Sequence, residues 1–576
     1  MVILGLNLLH GDSAACIVVN GKLISAAEEE RFTRIKHTSQ FPIQSIKFCL
    51  NFANKNIQDV DYIAINNKYT YNLFNKLFFA LKNIYFSLSH IKFQKNLDRI
   101  DIIKKLSVSF NISINPKIIN VPHHLAHAYS TFFFLEENNN SIIFSFDGSG
   151  NFSTIESYLV TKNKIKLIKK NTFPHSLGFF YTTFAQLIGF KEYGEEYKFM
   201  GLAAYGKPIY YDELKRLIIS FDPFKLDMSF FNLPIINYSN NFPQVNKLYS
   251  DKLQNLLLEK YNYKEANYQL EISKNIAASV QKIFNEAVIT ILKNLKEKYN
   301  SKKVYITGGC ALNSVVIGKI VELKIFENVS VGPNPGDAGG AVGSAFYVCE
   351  KNKIKIDTEQ NKTFLGPIFS NEEIKETIID KILNDSNYKI SFYENFSDLS
   401  KKAAELIKLE NIIFWFQDRM EWGPRALGNR SILANPANKN IKQFINEKVK
   451  KRELFRPYAI SILQELANKK FYMFENISPN MNIVFKVNDE LKTLCPDIVH
   501  PDGTTRVQTV SEKDNPKFYS LLSDFYKITG LEMIINTSMN IDSPIALSPI
   551  HAWDIFSETD VKSLVLNSWL IQKVNH

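Results

Sequence analysis

Cysteine is scarce in this chain, with five among 576 residues, at Cys16, Cys49, Cys310, Cys349 and Cys495. They are scattered, odd in number and never spaced as C-x-x-C, which argues against a disulfide framework and favours a reducing, cytoplasmic setting. Long apolar runs are missing too. No stretch approaches the roughly 18 residues that a bilayer-crossing helix needs. The opening Met1-Val2-Ile3-Leu4-Gly5-Leu6 lacks a basic leader and turns polar at His10-Gly11-Asp12-Ser13, so it reads as a first strand and not as a signal peptide. Acid is in deficit: 58 Asp and Glu against 69 Lys and Arg leave a net charge of +11. That balance invites a polyanion, yet no helix-turn-helix, zinc-knuckle or RNA-binding signature accompanies it. The excess reads as lysine surface plus phosphate pockets, with nucleic acid an unlikely partner.

The composition that remains is that of a globular protein, 45% hydrophobic and 22% charged. The chain is too long for one core, and the usual domain size of roughly 100 to 200 residues predicts two to four units. The text divides into 1–350, a lysine-rich linker at 351–371, and 372–576. In the first part, Ile3 to Asn7, Ala14 to Val19 and Leu23 to Ala27 read as strands, the last two joined by the hairpin signal Asn20-Gly21. Ile142 to Phe146, Ser153 to Thr161 and Ile165 to Lys169 repeat that order of strand, polar turn, strand, short turn, strand. A duplicated hairpin core predicts an α/β fold of two lobes facing across a cleft, as in actin-like proteins. Glu28 to His37 reads as a charged, exposed helix or loop. Leu73, Leu77, Leu81, Ile84 and Leu88 form a helical stripe amid lysines over Tyr71 to Asp98, predicting a helix packed on its domain or resting on a membrane surface. Residues 209–270 read as an irregular aromatic lip, and Ile272 to Leu295 as an amphipathic helix.

His123 and His127, four residues apart, share one face of a helix and are close enough to share a metal ion; the alternative is a capping histidine and a core histidine. Asp147 and Asp337 sit where strands hand over to glycine turns, the place where open α/β sheets put ligands. Two imidazoles and two carboxylates suit iron, manganese or zinc. His10 and Asp12 lie in the first lobe's turn, and with Asp147 in the second they would meet over a phosphate. Thr307-Gly308-Gly309-Cys310-Ala311-Leu312-Asn313 is a strand, glycine turn and helix start suited to phosphate or ribose, with Gly336 in the loop farther along. Beyond 371 the character changes. Arg425, Asn429 and Arg430 stand in a glycine-proline loop, with Lys450, Arg452, Arg456, Arg506 and Asn536 after it. Guanidinium groups among hydroxyls and amides grip carbamoyl, carboxyl and phosphate oxygens with forked hydrogen bonds. Arg425 and Arg430 are embedded in small and apolar residues, where an unpaired charge would be costly.

These residues resemble an O-carbamoyltransferase family that decorates antibiotics and nodulation factors. The carriers are Asn7 to Ser13, Glu28-Glu29-Glu30-Arg31-Phe32, Phe41-Pro42, His123 to Ala128, Asp147-Gly148, Met200-Gly201-Leu202-Ala203, Gly308 to Asn313, Asn334 to Gly339, Glu421 to Pro436 and Arg506 to Val510. The resemblance implies an actin-like N-terminal domain similar to tRNA threonylcarbamoyl-transferring enzymes, and a C-terminal domain similar to threonylcarbamoyl-adenylate synthases. It implies that carbamoyl phosphate and ATP, with Mg, form carbamoyl adenylate in the C-terminal domain. The carbamoyl group would then pass to a hydroxyl of a small-molecule or glycan acceptor at a metal site in the N-terminal domain. By motif match the metal, iron in much of the family, would be held by His123, His127, Asp147 and Asp337. His10 and Asp12 would serve the transfer. Gly308, Gly309, Asn313 and Gly336 would hold the nucleotide. Arg425, Asn429, Arg430, Lys450, Arg452, Arg456, Arg506 and Asn536 would hold carbamoyl phosphate and triphosphate. A homodimer is the expected assembly. Alternatives are tRNA modification or an idle, nucleic-acid-binding scaffold. Three positions depart from the family pattern: Asn151 where a glutamate is usual, leaving one fewer carboxylate by the metal, Met539 in place of phenylalanine, and Ser543 in place of glutamate.

Overall fold

The computed structural model describes residues 1–574 apart from 9, 83–98, 133–139, 162–163, 239–240, 262, 264–266, 359–362 and 475. Two compact units emerge, Met1–Gln360 and Asn361–His576. Among the described residues no helix is long and apolar enough to cross a membrane.

The first unit is built on two five-stranded sheets. One contains β1 (Val2–Asn7), β2 (Ala14–Val19), β3 (Lys22–Glu28), β4 (Tyr62–Ile65) and β5 (Lys117–Asn120), in the order β3-β2-β1-β4-β5. The other contains β6 (Ser141–Gly150), β7 (Ser153–Thr161), β8 (Lys164–Thr172), β9 (Lys303–Thr307) and β10 (Asn328–Val331), in the order β8-β7-β6-β9-β10. In each, an antiparallel meander of three strands is extended by two parallel strands: β1 pairs antiparallel with β2 and parallel with β4, as β6 does with β7 and β9. This is the duplicated, actin-like α/β arrangement expected from the repeated hairpins. Every residue of β1 is buried, as a central strand covered on both faces requires.

The helices of this unit include α1 (Leu73–Lys82), α2 (His123–Ser130), α3 (Glu271–Tyr299) and α4 (Gly339–Lys351). Helix α4 begins Gly-Gly-Ala-Val-Gly-Ser-Ala, and its small residues let it lie directly on α2: a Cβ on Gly343 would stand 1.7 Å from the Ala126 carbonyl oxygen. Any side chain there would force the two helices apart.

The second unit is organised by one nine-stranded mixed sheet. Its central strands are β11 (Ile412–Phe416), β12 (Arg430–Ala434), β13 (Ala459–Leu463), β14 (Thr504–Val510) and β15 (Met533–Ser538). They lie in the order β11-β12-β15-β13-β14. Trp415, Phe518, Phe525 and Ile534 are among the fully buried side chains of its core, each worth about 1.5–3 kcal/mol of burial.

Three expectations change. Glu28, Glu29, Glu30 and Arg31 are buried and not an exposed charged face; they are satisfied by ion pairs and hydrogen bonds. The stripe of α1 is not packed: Leu73, Leu77 and Leu81 are exposed, while the part of that stripe at 84 and 88 lies outside the described residues. The segment 209–270 is not wholly irregular, since it contains the short strands Ile218–Phe221 and Phe224–Leu226 and the helix Asp251–Tyr261.

Candidate metal centre and arginine pocket

Helix α2 starts where Pro122, extended at φ −56° and ψ 137°, turns the chain into the helix, and the Asn151 side chain accepts the His123 backbone N–H at 2.9 Å. Asn151 therefore caps the helix that carries both histidines. Its side chain also accepts the Lys68 N–H at 3.1 Å and donates to Asn67 at 2.7 Å. The position does not simply lack a carboxylate; its amide performs a different task.

His123 and His127 project from one face of α2, with Nε2 atoms 3.1 Å apart. Asp147, at the end of the regular pairing of β6 with β7, and Asp337, just before α4, complete a group of four. His123 Nε2 lies 3.6 Å from Asp147 Oδ2 and 3.5 Å from Asp337 Oδ1. For His127 Nε2 the same separations are 3.3 Å and 3.6 Å. A tetrahedral ion with bonds of about 2.1 Å needs ligand atoms about 3.4 Å apart, and an octahedral one needs neighbours about 3.0 Å apart. The four side chains thus fit a first-row divalent cation, and two imidazoles disfavour calcium or magnesium. Asp147 is itself fixed by the backbone N–H groups of Gly148, at 2.7 Å, and Gly309, at 2.9 Å.

Electrostatics agree with that geometry. Burial alone would lower the His127 pKa, but hydrogen bonds and charge from Asp147 and Asp337 overcome it and raise it to about 9. Burial opposes ionisation of Asp147, and the two histidines reverse this and hold it well below the usual carboxylate range. A cation bound here would displace the proton that His127 holds against Asp147, so its binding should weaken as pH falls.

Gly150 ends β6 against the His123 ring: a Cβ there would stand 1.9 Å from Cδ2. Gly150→Ala should push the ring off its position and weaken cation affinity by about 10- to 100-fold, as read by competition with a chromophoric chelator.

His10 stands beside this group, its ring centroid 5.1 Å from that of His123. Burial, helped by His123, lowers its pKa to about 4, so it is neutral at physiological pH, and its buried Nε2 has no hydrogen-bond partner. Asp12 does not join the four; its carboxylate lies 2.7 Å from His37 Nδ1. The nucleotide candidates are partly committed to the protein. Gly309 holds Asp147, and Asn313 caps the helix Ser314–Glu322 through Val316 N–H while donating to Gln281. Gly308 takes φ +92° against the Phe146 backbone. Gly336 has open space in place of a side chain, with only Leu312 near, at 3.9 Å.

In the second unit the basic candidates divide into two sets. Arg430 is fully buried, and its terminal nitrogens donate to the carbonyls of Gln417, Asn429, Pro367 and Asp418, while its guanidinium lies 3.6 Å over the Phe416 ring. The sequence correctly excludes a solvated face for it, but its partners are backbone oxygens. Asn429 joins Arg419 O to Asn515, Lys450 holds the carbonyls of Ser538 and Asn540, and Asn536 donates to Ser461 and Gln508. Arg430, Asn429 and Lys450 thus hold loops in place, and Asn536 links three neighbouring strands.

Arg425, Arg452, Arg456 and Arg506 form the other set. Burial, and then repulsion from Arg425, Arg452 and Arg456, holds the Arg506 pKa well below the ordinary arginine value, and its buried Nε has no hydrogen-bond partner. Arg452 is steadied by Asn446 Oδ1 at 2.8 Å, and Arg456 by Glu453 at 3.6 Å. A convergence of like charges is costly unless an anion compensates it, so the arrangement is suited to phosphate. Sequence reasoning passed over His500, whose buried Nε2 is also unpartnered and whose pKa is lowered to about 4, chiefly by burial and further by Arg506 and Lys442. It stands in the same stretch as Arg506, and its Nδ1 lies 3.1 Å from Thr504 Oγ1, but a lone histidine in a polar turn carries no spacing that marks it.

The loop bearing Arg425 is shaped by Glu421, which is buried and accepts the N–H groups of Leu427, Asn429 and Arg430 at 2.8, 2.8 and 3.0 Å. Charged acceptors form hydrogen bonds roughly twice as strong as neutral ones. Glu421→Gln should therefore lower the stability of the second unit by about 2 kcal/mol, seen as a lower midpoint in chemical denaturation. Of the departures from the family pattern, Met539 is fully buried, and the Ser543 carbonyl accepts from Asn540 at 2.6 Å.

Comparison with known proteins identifies the family. Residues 2–346 match the carbamoyltransferase N-terminus family and residues 404–573 the carbamoyltransferase C-terminus family. An uncharacterised Synechocystis protein, sll1178, is 32% identical over 99% of this chain and 96% of its own length. The nodulation protein NolNO of Sinorhizobium fredii is 32% identical over 98% of this chain and 80% of its own. Among solved structures, HypF of T. kodakarensis covers 61% of this chain and 48% of its own at 12% identity, with a TM-score of 0.32; the fold assignment rests on strand order and not on that superposition. With both family halves matched in sequence order and relatives aligned nearly end to end, the chain belongs to the carbamoyltransferase family.

Proposed function

We propose that this carbamoyltransferase is ATP-dependent and modifies a hydroxyl of a small-molecule or glycan acceptor in two steps. In the second unit, water would cleave carbamoyl phosphate to carbamate and phosphate. A carbamate oxygen would then attack the α-phosphorus of ATP, expelling pyrophosphate and leaving carbamoyl adenylate. The arginines 425, 452, 456 and 506 would offset the negative charge of the phosphates, with His500 as a neutral hydrogen-bonding group beside them. In the first unit the acceptor oxygen would attack the carbamoyl carbon and AMP would leave.

His123, His127, Asp147 and Asp337 would hold the divalent cation, whose contribution when bound is to stabilise charge on phosphate oxygens. His10 is suited to donating a hydrogen bond from its free Nε2 to the carbamoyl oxygen. An imidazole so hard to protonate is a better orienting group than a proton acceptor. The fixed positions of Asp147 and the helix-capped histidines mean that little reorganisation accompanies binding.

The observation that carries this reading is the convergence of the four metal-ligating side chains beside an unpartnered neutral imidazole. Purified protein given carbamoyl phosphate, ATP, Mg and a divalent transition metal should release pyrophosphate, and AMP once a hydroxyl acceptor is present. If neither is released and no candidate acceptor gains a carbamoyl group, the reading is wrong.

A further inference from the structure

Between the turn that carries His10 and the loop that carries Asp337 runs a closed ring of polar contacts, most of them buried. On one side, Asn7 Nδ2 donates to the carbonyls of Gly11 and Asp12 at 3.1 and 2.7 Å, and Asn66 Nδ2 donates to Asn7 Oδ1 at 2.7 Å. The same Asn66 nitrogen reaches the Asp337 carbonyl at 3.5 Å. On the other side, the Asp12 carboxylate lies 2.7 Å from His37 Nδ1, and the His37 backbone N–H donates to Glu30 at 2.8 Å. Glu30 pairs with Arg31 at 2.9 Å, and Arg31 pairs in turn with Glu28. Glu28 accepts from Asn334 Nδ2 at 2.8 Å, three residues before Asp337. Asn7, Asn66, Glu28, Glu30, Arg31 and Asn334 are all buried.

Arg31 is the cation between the two buried carboxylates of this ring. Without it, Glu28 and Glu30 would lose the guanidinium that pairs with both, leaving the charge of His37 and Lys36 on the Glu30 side, an arrangement relieved by taking up a proton or moving apart. Neither carboxylate touches the four-group cluster, and the charge run that contains them has no part in the chemistry proposed above. Its burial therefore calls for another explanation.

We propose that Arg31 is a positioning residue: by closing the ring it fixes the His10 turn against the Asp337 loop, and so sets where His10 stands relative to the four-group cluster. For its kinetic consequence this rests on the transfer chemistry proposed above; its structural consequence does not.

The test compares full-length wild type with Arg31→Met, Arg31→Lys and Asn334→Ala, the last opening the ring without stranding a charge. Amide hydrogen exchange, measured without added metal, should rise about tenfold or more at both 10–13 and 336–341 in Arg31→Met and Asn334→Ala, with little change in α3 and a smaller rise in Arg31→Lys. Transfer should lose about 100-fold in kcat, the penalty of a displacement near 1 Å, with KM for carbamoyl phosphate and pyrophosphate release unchanged. In a His10→Ala background, Arg31→Met should cost nothing further in kcat. Exchange that rises at only one of the two segments, rises throughout the unit, or stays at the wild-type level overturns the proposal, as does a full Arg31→Met effect in the His10→Ala background. Should Arg31→Met fail to fold, Asn334→Ala decides by the same criteria. Should the wild type carbamoylate nothing, the function reading fails, and exchange alone decides the ring.

Discussion

Replacing His127 with alanine abolishes transfer to the acceptor while pyrophosphate release from carbamoyl phosphate and ATP stays within about twofold of the wild-type rate, as expected for sites that act independently. The His127 imidazole lies between 3.1 and 3.6 Å from the other three members of the cluster. Its removal takes one of four donors and the charge partner of Asp147. Loss of several kcal/mol of charge stabilisation corresponds to about 1,000-fold or more in rate. Metal content measured on purified protein should fall in parallel. Transfer near the wild-type rate in a His127→Ala protein without bound metal would exclude a role for the cluster in catalysis.

Arg506→Met produces the complementary defect. The guanidinium sits among three others with a buried nitrogen unsatisfied, a configuration that favours an anion over an empty pocket. Removing one preorganised donor from a site where charge must be offset costs about 100- to 1,000-fold. Pyrophosphate release should fall by that factor, while transfer from carbamoyl adenylate supplied in the assay continues. Unchanged pyrophosphate release would mean that the four arginines do not cradle the reacting phosphates.

The distribution of what the sequence made legible has a physical basis. Local periodicity is written in adjacent residues, so the duplicated hairpins and the shared face of His123 and His127 could be read directly. Asp337 is separated from them by about two hundred positions, and its place before a glycine turn, together with the resemblance, is what grouped it with them. Charge patterning misled at Glu28 to Arg31, because a run of acids reads as solvated unless its partners are known, and Ser45 and Asn334 lie outside the run. Arg430 illustrates a half-legible case: its apolar neighbours betrayed burial, but four backbone carbonyls, invisible in any residue pattern, satisfy it. The stripe of α1 erred in the opposite direction, since helical spacing shows that a face is apolar and not that anything covers it.

The repeated strand order has a consequence for how this activity could have arisen. The turn after β1, with His10, and the last part of β6, with Asp147, follow the first strand of the meander in each of the two copies. A scaffold present twice can let one copy of a turn keep an ancestral duty while the other diverges. In the function proposed here, one became an anchor for a cation and the other a hand for the group being moved, a division of labour between twins.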